Sequence, residues 1–378
     1  MRILHLISGG DTGGAKTHII SLVKGLSKLI DVKIICFIED TFYEDAKKEG
    51  IDIEIFKQRN RSDMTVVNRL ADLINDEEYD IVHCHGDRAN FIAMFLRKKI
   101  QIPMLTTVHS DYRLDFKDTL YKRIIFTALN KTALKRFNNF IAVSESLKNT
   151  LVERGFNSKE INVVYNGIDF ESELEFTSRE DFLAQYSIDF KEKNVVGILA
   201  RLEEIKDHET FIKAADLVLK KRKDTIFLIG GEGKNKDKLE NMTSSLGIDS
   251  NVYFLGFVKD SNSFMNSIDI NVLTSISEGF PYVVLEGARM HKPMISTKVG
   301  GISKLVNNGS NGYLIDVGDY ETLADKILYL LDNKELLKEM GTNIYEDAKK
   351  NFSYDSMAKT HLEIYNTILD KEDKRRLS

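Results

Sequence analysis

From its first residue the chain alternates short β-branched and apolar runs with longer stretches whose apolar positions recur every three or four residues. The runs at 2–7, 32–38, 51–56, 80–84, 104–108, 140–143 and 161–165 read as strands, with a helix over 15–29 after the first. Over 169–194 the sequence turns polar and offers no strong strand signal. The rhythm resumes at 195–199 and continues through 225–229, 252–255, 268–273 and 294–296, and a last helical stretch covers 354–369. Such alternation is the pattern of βαβ units around a parallel sheet. The chain is therefore expected to be α/β, with two doubly wound, Rossmann-like domains at 1–168 and 169–353.

A length of 378 residues suits two domains that each bury a core, and 42% hydrophobic with 29% charged residues is ordinary for a soluble protein. Neither a signal peptide nor a membrane span fits the first residues, so the expected location is the cytosol. Cys36 and Cys84 lie in strand-like runs without metal spacing and read as buried, reduced thiols. Residues 1–168 carry 25 Lys and Arg against 22 Asp and Glu, and the remainder carries 28 against 36. So mild an excess argues against nucleic-acid binding. Between Tyr112 and Phe137, however, seven basic residues face two acidic ones among apolar positions at helical spacing. That stretch reads either as a surface helix packed on the first domain or as a contact with anionic lipid.

In doubly wound sheets ligands sit beyond the carboxyl ends of the strands, where helix N-termini present free backbone N–H groups. Candidate residues should therefore follow strands. After 268–273 comes Ser277-Glu-Gly-Phe-Pro-Tyr-Val-Val-Leu-Glu286, with Glu278 in the loop and Glu286 about one turn inside the next helix. The pair could simply complement a helix dipole. After 195–199, Arg201 and Lys206 stand where this topology places a phosphate, and a guanidinium with an ammonium suits a diphosphate leaving group. The glycine-rich loop 8–18 follows the first strand and contains Gly13, Gly14, Lys16 and His18, but it is neither Gly-x-Gly-x-x-Gly nor a Walker loop. His109 closes the run 104–108. His83 and His85 share one strand face, but with no third ligand nearby in sequence they are not read as a metal pair. No Asp-x-Asp occurs, a pairing that can hold a divalent ion on a diphosphate.

Together, the Glu-x7-Glu stretch and the Arg-x4-Lys element resemble the retaining glycosyltransferases of family four, and the resemblance runs along nearly the whole chain. Val143-Ser-Glu, Asn166-Gly-Ile-Asp169, Gly230-Gly-Glu-Gly233, Leu255-Gly-Phe-Val258 and Val299-Gly-Gly-Ile302 match further landmarks. The resemblance implies the GT-B fold, with two domains facing across an interdomain cleft and the last helix, 354–378, returning to the first domain. It implies an acceptor-side first domain and a donor-binding second domain. Arg201, Lys206, Glu278 and His109 would then act at the reacting sugar and diphosphate. Glu278 lies beside the sugar, and His109 near its C6 hydroxyl. Glu286 takes the ribose hydroxyls, with Gly13, Gly14, Gly279, Phe280, Pro281 and Val258 completing the donor site and Lys16, His85 and Asn166 on the acceptor side. The implied reaction is metal-independent, retaining transfer of a hexose-type sugar from a nucleotide diphosphate sugar, uridine diphosphate by default, to a hydroxyl of a sugar or lipid-linked acceptor in cell-surface polysaccharide or glycolipid synthesis. No cofactor is implied, and the work would be done in the cytoplasm or at the inner face of the plasma membrane. Lys16 stands where the family commonly has glutamate, Ser303-Lys304 where Pro-Glu is usual, and Arg289-Met-His291 where small residues are usual. A sugar-nucleotide epimerase or a phosphorylase shares the fold, and a non-catalytic sugar-nucleotide sensor is the alternative of a different class.

Overall fold

A computed structural model of the chain describes residues 1–10, 14–60, 63–110, 120–191 and 193–377, with side chains at 120–126, 376 and 377 left aside. The chain forms two units, Met1–Asp169 with Tyr354–Ser378, and Phe170–Ser353.

Strands of the first unit are β1 (Arg2–Ile7), β2 (Asp31–Cys36), β3 (Ile53–Ile55), β4 (Ile81–His85), β5 (Met104–Val108), β6 (Phe140–Ala142) and β7 (Ile161–Val163). They pair in parallel in the order β3-β2-β1-β4-β5-β6-β7. Helices on both faces explain why β4 and β5 are buried along their whole length and read as continuous rather than alternating runs. The strand order reverses between β1 and β4, where His5 lies opposite His83 and Ile7 opposite His85. This crevice is the ligand position of such sheets.

The second unit comprises β8 (Asn194–Leu199), β9 (Thr225–Gly230), β10 (Val252–Gly256), β11 (Ile270–Leu273), β12 (Met294–Thr297) and β13 (Gly312–Ile315), in the order β10-β9-β8-β11-β12-β13. Its reversal lies between β8 and β11, the strands that precede Arg201 and Glu278. β13 has no counterpart among the expected strands. Its four residues follow the polar turn Asn307-Asn-Gly-Ser-Asn, too short a run to stand out, and parallel pairing with β12 makes it a strand.

The helix Tyr354–Leu377 belongs to the first unit and packs on the helix Gly14–Leu26. Tyr354, Met357, Ala358, Tyr365 and Ile368 join one apolar cluster with Ile3, Leu22, Leu26 and Ile81. Gly25 makes the approach possible, since a Cβ there would stand 2.8 Å from both Ala358 Cβ and the Tyr354 carbonyl oxygen. Gly25→Val is accordingly expected to lower stability by about 1–3 kcal/mol, the usual cost of overpacking. Thermal unfolding checks this; an unchanged Tm would mean that the two helices do not dock as described.

Cys36 and Cys84 are both free and buried, and burial pushes the Cys36 thiol up to about 12. Of the basic stretch 112–137, residues 112–119 lie outside the described residues, and Leu120–Leu134 is a helix that packs on Gly86–Leu96. Among the described residues no helix is long and apolar enough to cross a membrane.

Candidate functional site

In the second unit the chain leaves β8 at Leu199, passes Arg201 and closes a short turn at Glu204–Lys206 before the helix His208–Lys221. Asp207 caps that helix in a left-handed conformation (φ 46°), and its carboxylate accepts a hydrogen bond from the Thr210 backbone N–H. A neighbouring loop runs from the end of β11 to the helix Tyr282–Arg289 and carries Glu278. The two loops are tied by backbone as well as side chain. Ile276 N–H donates to the Ile205 carbonyl at 2.8 Å, and the Thr274 hydroxyl to the Lys206 carbonyl at 3.0 Å.

The tie fixes the central pair. Lys206 Nζ donates to Glu278 Oε1 at 2.6 Å, and the Ser275 hydroxyl donates to the same oxygen at 2.6 Å. Both charged side chains are largely covered, with 16% of Lys206 and 9% of Glu278 exposed, so the pair exceeds an ordinary surface bridge. Arg201 is different: its side chain is 72% exposed and pairs with Glu203 at 2.9 Å. It is a solvent-facing cation beside a buried one.

Two glycines let the surrounding loops meet. Gly231, at φ +136°, lies so near Ala200 that a Cβ would approach its carbonyl oxygen to 2.0 Å; Gly300, at φ +56°, would meet the carbonyl oxygens of Glu278 and Gly279 at 2.3 Å. Next to Gly300, Gly301 N–H donates to the Gly279 carbonyl at 2.7 Å. Phe280 is buried with its ring 4.9 Å from Phe352, and Pro281 occupies the N-cap of the next helix, so both shape the turn by packing. Val258 packs with Phe264 and Ile268, while the neighbouring Phe257, in the same Leu255-Gly-Phe-Val258 landmark, is 71% exposed.

Glu286 is half-buried and closely surrounded by protein, and this raises its carboxyl to about 7 against a weaker opposing hydrogen bond from Ser261. Tyr282 is held well above the usual phenol range by burial and then by the charge of Glu286.

In the first unit Gly14 opens the helix Gly14–Leu26, whereas Gly13 lies outside the described residues. Lys16 forms an ion pair with Asp45 and reaches the Thr41 hydroxyl at 3.4 Å. Both partners belong to the next helix, Thr41–Lys48. Asn166 accepts from His18 Nδ1 at 2.9 Å through its Oδ1.

His85 and His109 belong to a larger assembly. Six histidines (His5, His18, His83, His85, His109 and His361) come from β1, the first helix, β4, the residue after β5 and the last helix, with neighbouring ring centroids 4.2 to 6.1 Å apart. His83 is held from both sides, Nδ1 by the Tyr365 hydroxyl at 2.8 Å and Nε2 by the Thr107 hydroxyl at 2.7 Å. Burial lowers every one of these rings, His5 and His361 to about 3 and His18 to about 4, with the other histidines pushing the same way in all but His18. The cluster is uncharged at neutral pH. Only His83 and His85 are adjacent enough in sequence to suggest a pair; the facing positions in β1 and β4 are the available signal for His5, and nothing local points to His361.

Comparison with known proteins agrees with this architecture. Residues 180–347 match the family model of glycosyl transferases group 1, and residues 12–172 match that of glycosyltransferase family 4. An uncharacterised glycosyltransferase of Methanocaldococcus jannaschii is 28% identical over 365 residues, 95% of each chain. The N-acetyl-alpha-D-glucosaminyl L-malate synthase of Bacillus anthracis is 27% identical over 320 residues, 82% of this chain and 81% of the relative. Among solved structures, Anabaena HepE in complex with UDP and glucose superimposes with a TM-score of 0.81 at 22% identity, over 97% of this chain and 100% of that one.

Proposed function

Since the chain belongs to the family four, group 1 glycosyltransferases of the GT-B fold, we propose that it transfers a hexose-type sugar from a UDP-sugar, with retained configuration and without a metal ion or other cofactor. The observation that carries this reading is the covered Lys206–Glu278 pair between β8 and β11, with Arg201 beside it. A diphosphate needs positive charge where its negative charge develops, and fixed side-chain cations supply it in a partly dry site without reorganisation. Lys206 meets the phosphate as its link to Glu278 is exchanged, which leaves Glu278 to accept hydrogen bonds from the sugar. Glu286 accepts from the ribose hydroxyls. The second unit thus holds the donor, and the first serves the acceptor, a hydroxyl of a sugar or lipid-linked sugar. His109, uncharged and with Nε2 unpartnered, is suited to a hydrogen bond with a sugar hydroxyl rather than to ionic chemistry.

In the proposed step the acceptor oxygen bonds to the anomeric carbon from the face that the phosphate leaves. The bond from that carbon to the phosphate oxygen breaks, and the acceptor proton passes to the departing phosphate. No carboxylate nucleophile takes part, in contrast to double displacement. Incubation with α-linked UDP-sugars and a panel of glycosyl acceptors, followed by NMR of the anomeric proton, tests the reading: an α product with EDTA present is expected, and a β product would overturn it.

A further inference from the structure

Arg289 and His291 stand where small residues are usual, and both follow closely on Glu286: Arg289 ends the helix Tyr282–Arg289, and His291 lies two residues beyond it. The two side chains support the same stretch of chain. Arg289 Nη2 donates to the Ser172 carbonyl oxygen and to the Ser172 hydroxyl oxygen, each at 2.8 Å. The His291 ring stacks on Tyr345 with centroids 4.1 Å apart and planes 17° apart, and Tyr345 packs edge-on against Phe170 at 5.7 Å. Between these contacts Glu171 pairs with Lys349 at 3.1 Å.

Phe170, Glu171 and Ser172 are the first residues of the second unit, where the chain arrives from the first, and they form a bend outside any helix or strand. Each is held by a different side chain. A small residue at 289 or 291 could not reach Ser172 or cover Tyr345. His291 keeps its ring although its φ is 54°, a conformation that suits glycine better. The return passage is held from the same element: Phe352, beside the last residue of the second unit, packs against Phe280 in the loop between Glu278 and Glu286. The segment 278–291 thus supports the chain at both places where it passes between units.

We propose that Arg289 is a positioning residue for sugar transfer, which through Ser172 holds the arriving chain to the helix that carries Glu286. The inference rests on the reading of Glu286 as a donor-site residue. The helix itself is fixed separately, by the buried Tyr282, Val284, Leu285 and Ala288 and by Asn271 Nδ2, which donates to the Val283 carbonyl at 3.0 Å. Arg289 therefore steadies the chain rather than the helix. Donor affinity should not depend on it, whereas transfer between ligands held by two units should, because a reaction between two bound groups is sensitive to small errors of placement.

The test measures three quantities on the full-length protein: native-state cleavage after Glu171 by a glutamate-specific protease, UDP affinity by calorimetry, and kcat for transfer. Cleavage there requires Phe170 and Ser172 to leave their partners, so its rate follows the population of the open segment. Arg289→Ala should be cleaved about tenfold faster, as loss of a charge-assisted hydrogen bond implies. Its kcat should fall about tenfold with UDP affinity unchanged, and Arg289→Lys, which restores one donor, should recover part of both losses. His291→Gly, which removes the ring under Tyr345, should also be cleaved faster. Equal cleavage or equal kcat in wild type and Arg289→Ala would overturn the proposal, as would a loss of UDP affinity that matches the loss of kcat. A wild type that binds no UDP would instead defeat the donor-site reading, and the cleavage rates would still decide whether Arg289 holds Ser172.

Discussion

Replacing Lys206 by Met is expected to lower kcat/KM for sugar transfer by about 10²–10³, the usual cost of losing one fixed donor to a developing anion. The same change acts on the fold. Glu278 is 9% exposed, and without the ammonium 2.6 Å away only the Ser275 hydroxyl remains on its Oε1. Removing one member of a covered ion pair typically costs about 3–5 kcal/mol because a charge is left uncompensated. Lys206→Met should therefore also show a lower Tm. The double variant Lys206→Met/Glu278→Gln removes the stranded charge and should recover most of the Tm but none of the activity. Steady-state kinetics and thermal unfolding on the three proteins check the pair of effects. If the single variant keeps its rate within a few-fold, Lys206 does not face the leaving group.

Glu286 leads to the second large effect, a dependence on pH. Its carboxyl is raised from 4.5 to about 7 in the folded protein, chiefly by burial. Between those values the folded chain holds a proton that the unfolded chain has released. The stability this group contributes is therefore full below about 4.5 and is lost as pH rises through 7. At most about 3 kcal/mol is involved, because a tenfold change in proton affinity between the folded and unfolded chain is worth about 1.4 kcal/mol. Glu286→Gln should then be more stable than wild type at pH 8 and similar at pH 5. Nucleotide binding moves the other way, because ribose hydroxyls donate to the ionised form and pull protons off the site. UDP affinity should fall as pH drops below 7, by up to about tenfold per pH unit, and the slope should disappear in Glu286→Gln. Calorimetric titrations between pH 5.5 and 8 check this; a wild-type affinity that ignores pH would show that Glu286 does not meet the ribose.

The two sheets are readable because parallel strands covered on both faces leave continuous apolar runs, as at 104–108 and 225–229. The four-residue strand Gly312–Ile315 is not, since only its pairing with β12 distinguishes it from loop. Motifs local in sequence carry most of the second unit's site: Arg201 and Lys206 share one turn, and Glu278 and Glu286 flank one helix start. Their mutual arrangement is less accessible. That Lys206 rests on Glu278, 72 positions away, while Arg201 turns toward Glu203 depends on β8 lying beside β11. In the first unit, long-range packing decides nearly everything. Lys16 finds Asp45, His83 finds Tyr365 from the last helix, and the histidines gather from five separate segments. No periodicity encodes such meetings; they follow from strand register and from Gly25 admitting the last helix.

A metal-free site for a nucleotide diphosphate sugar in the second unit is tested most directly by isothermal titration. UDP and a panel of UDP-sugars are titrated into the EDTA-treated protein, and the series is repeated on Arg201→Ala and Glu286→Ala. Saturable binding of UDP and of one UDP-sugar is expected with EDTA present, weakened at least about tenfold in each variant, as loss of a charged hydrogen bond requires. Binding that appears only when a divalent ion is added, or equal affinities in all three proteins, would contradict this assignment of the donor site.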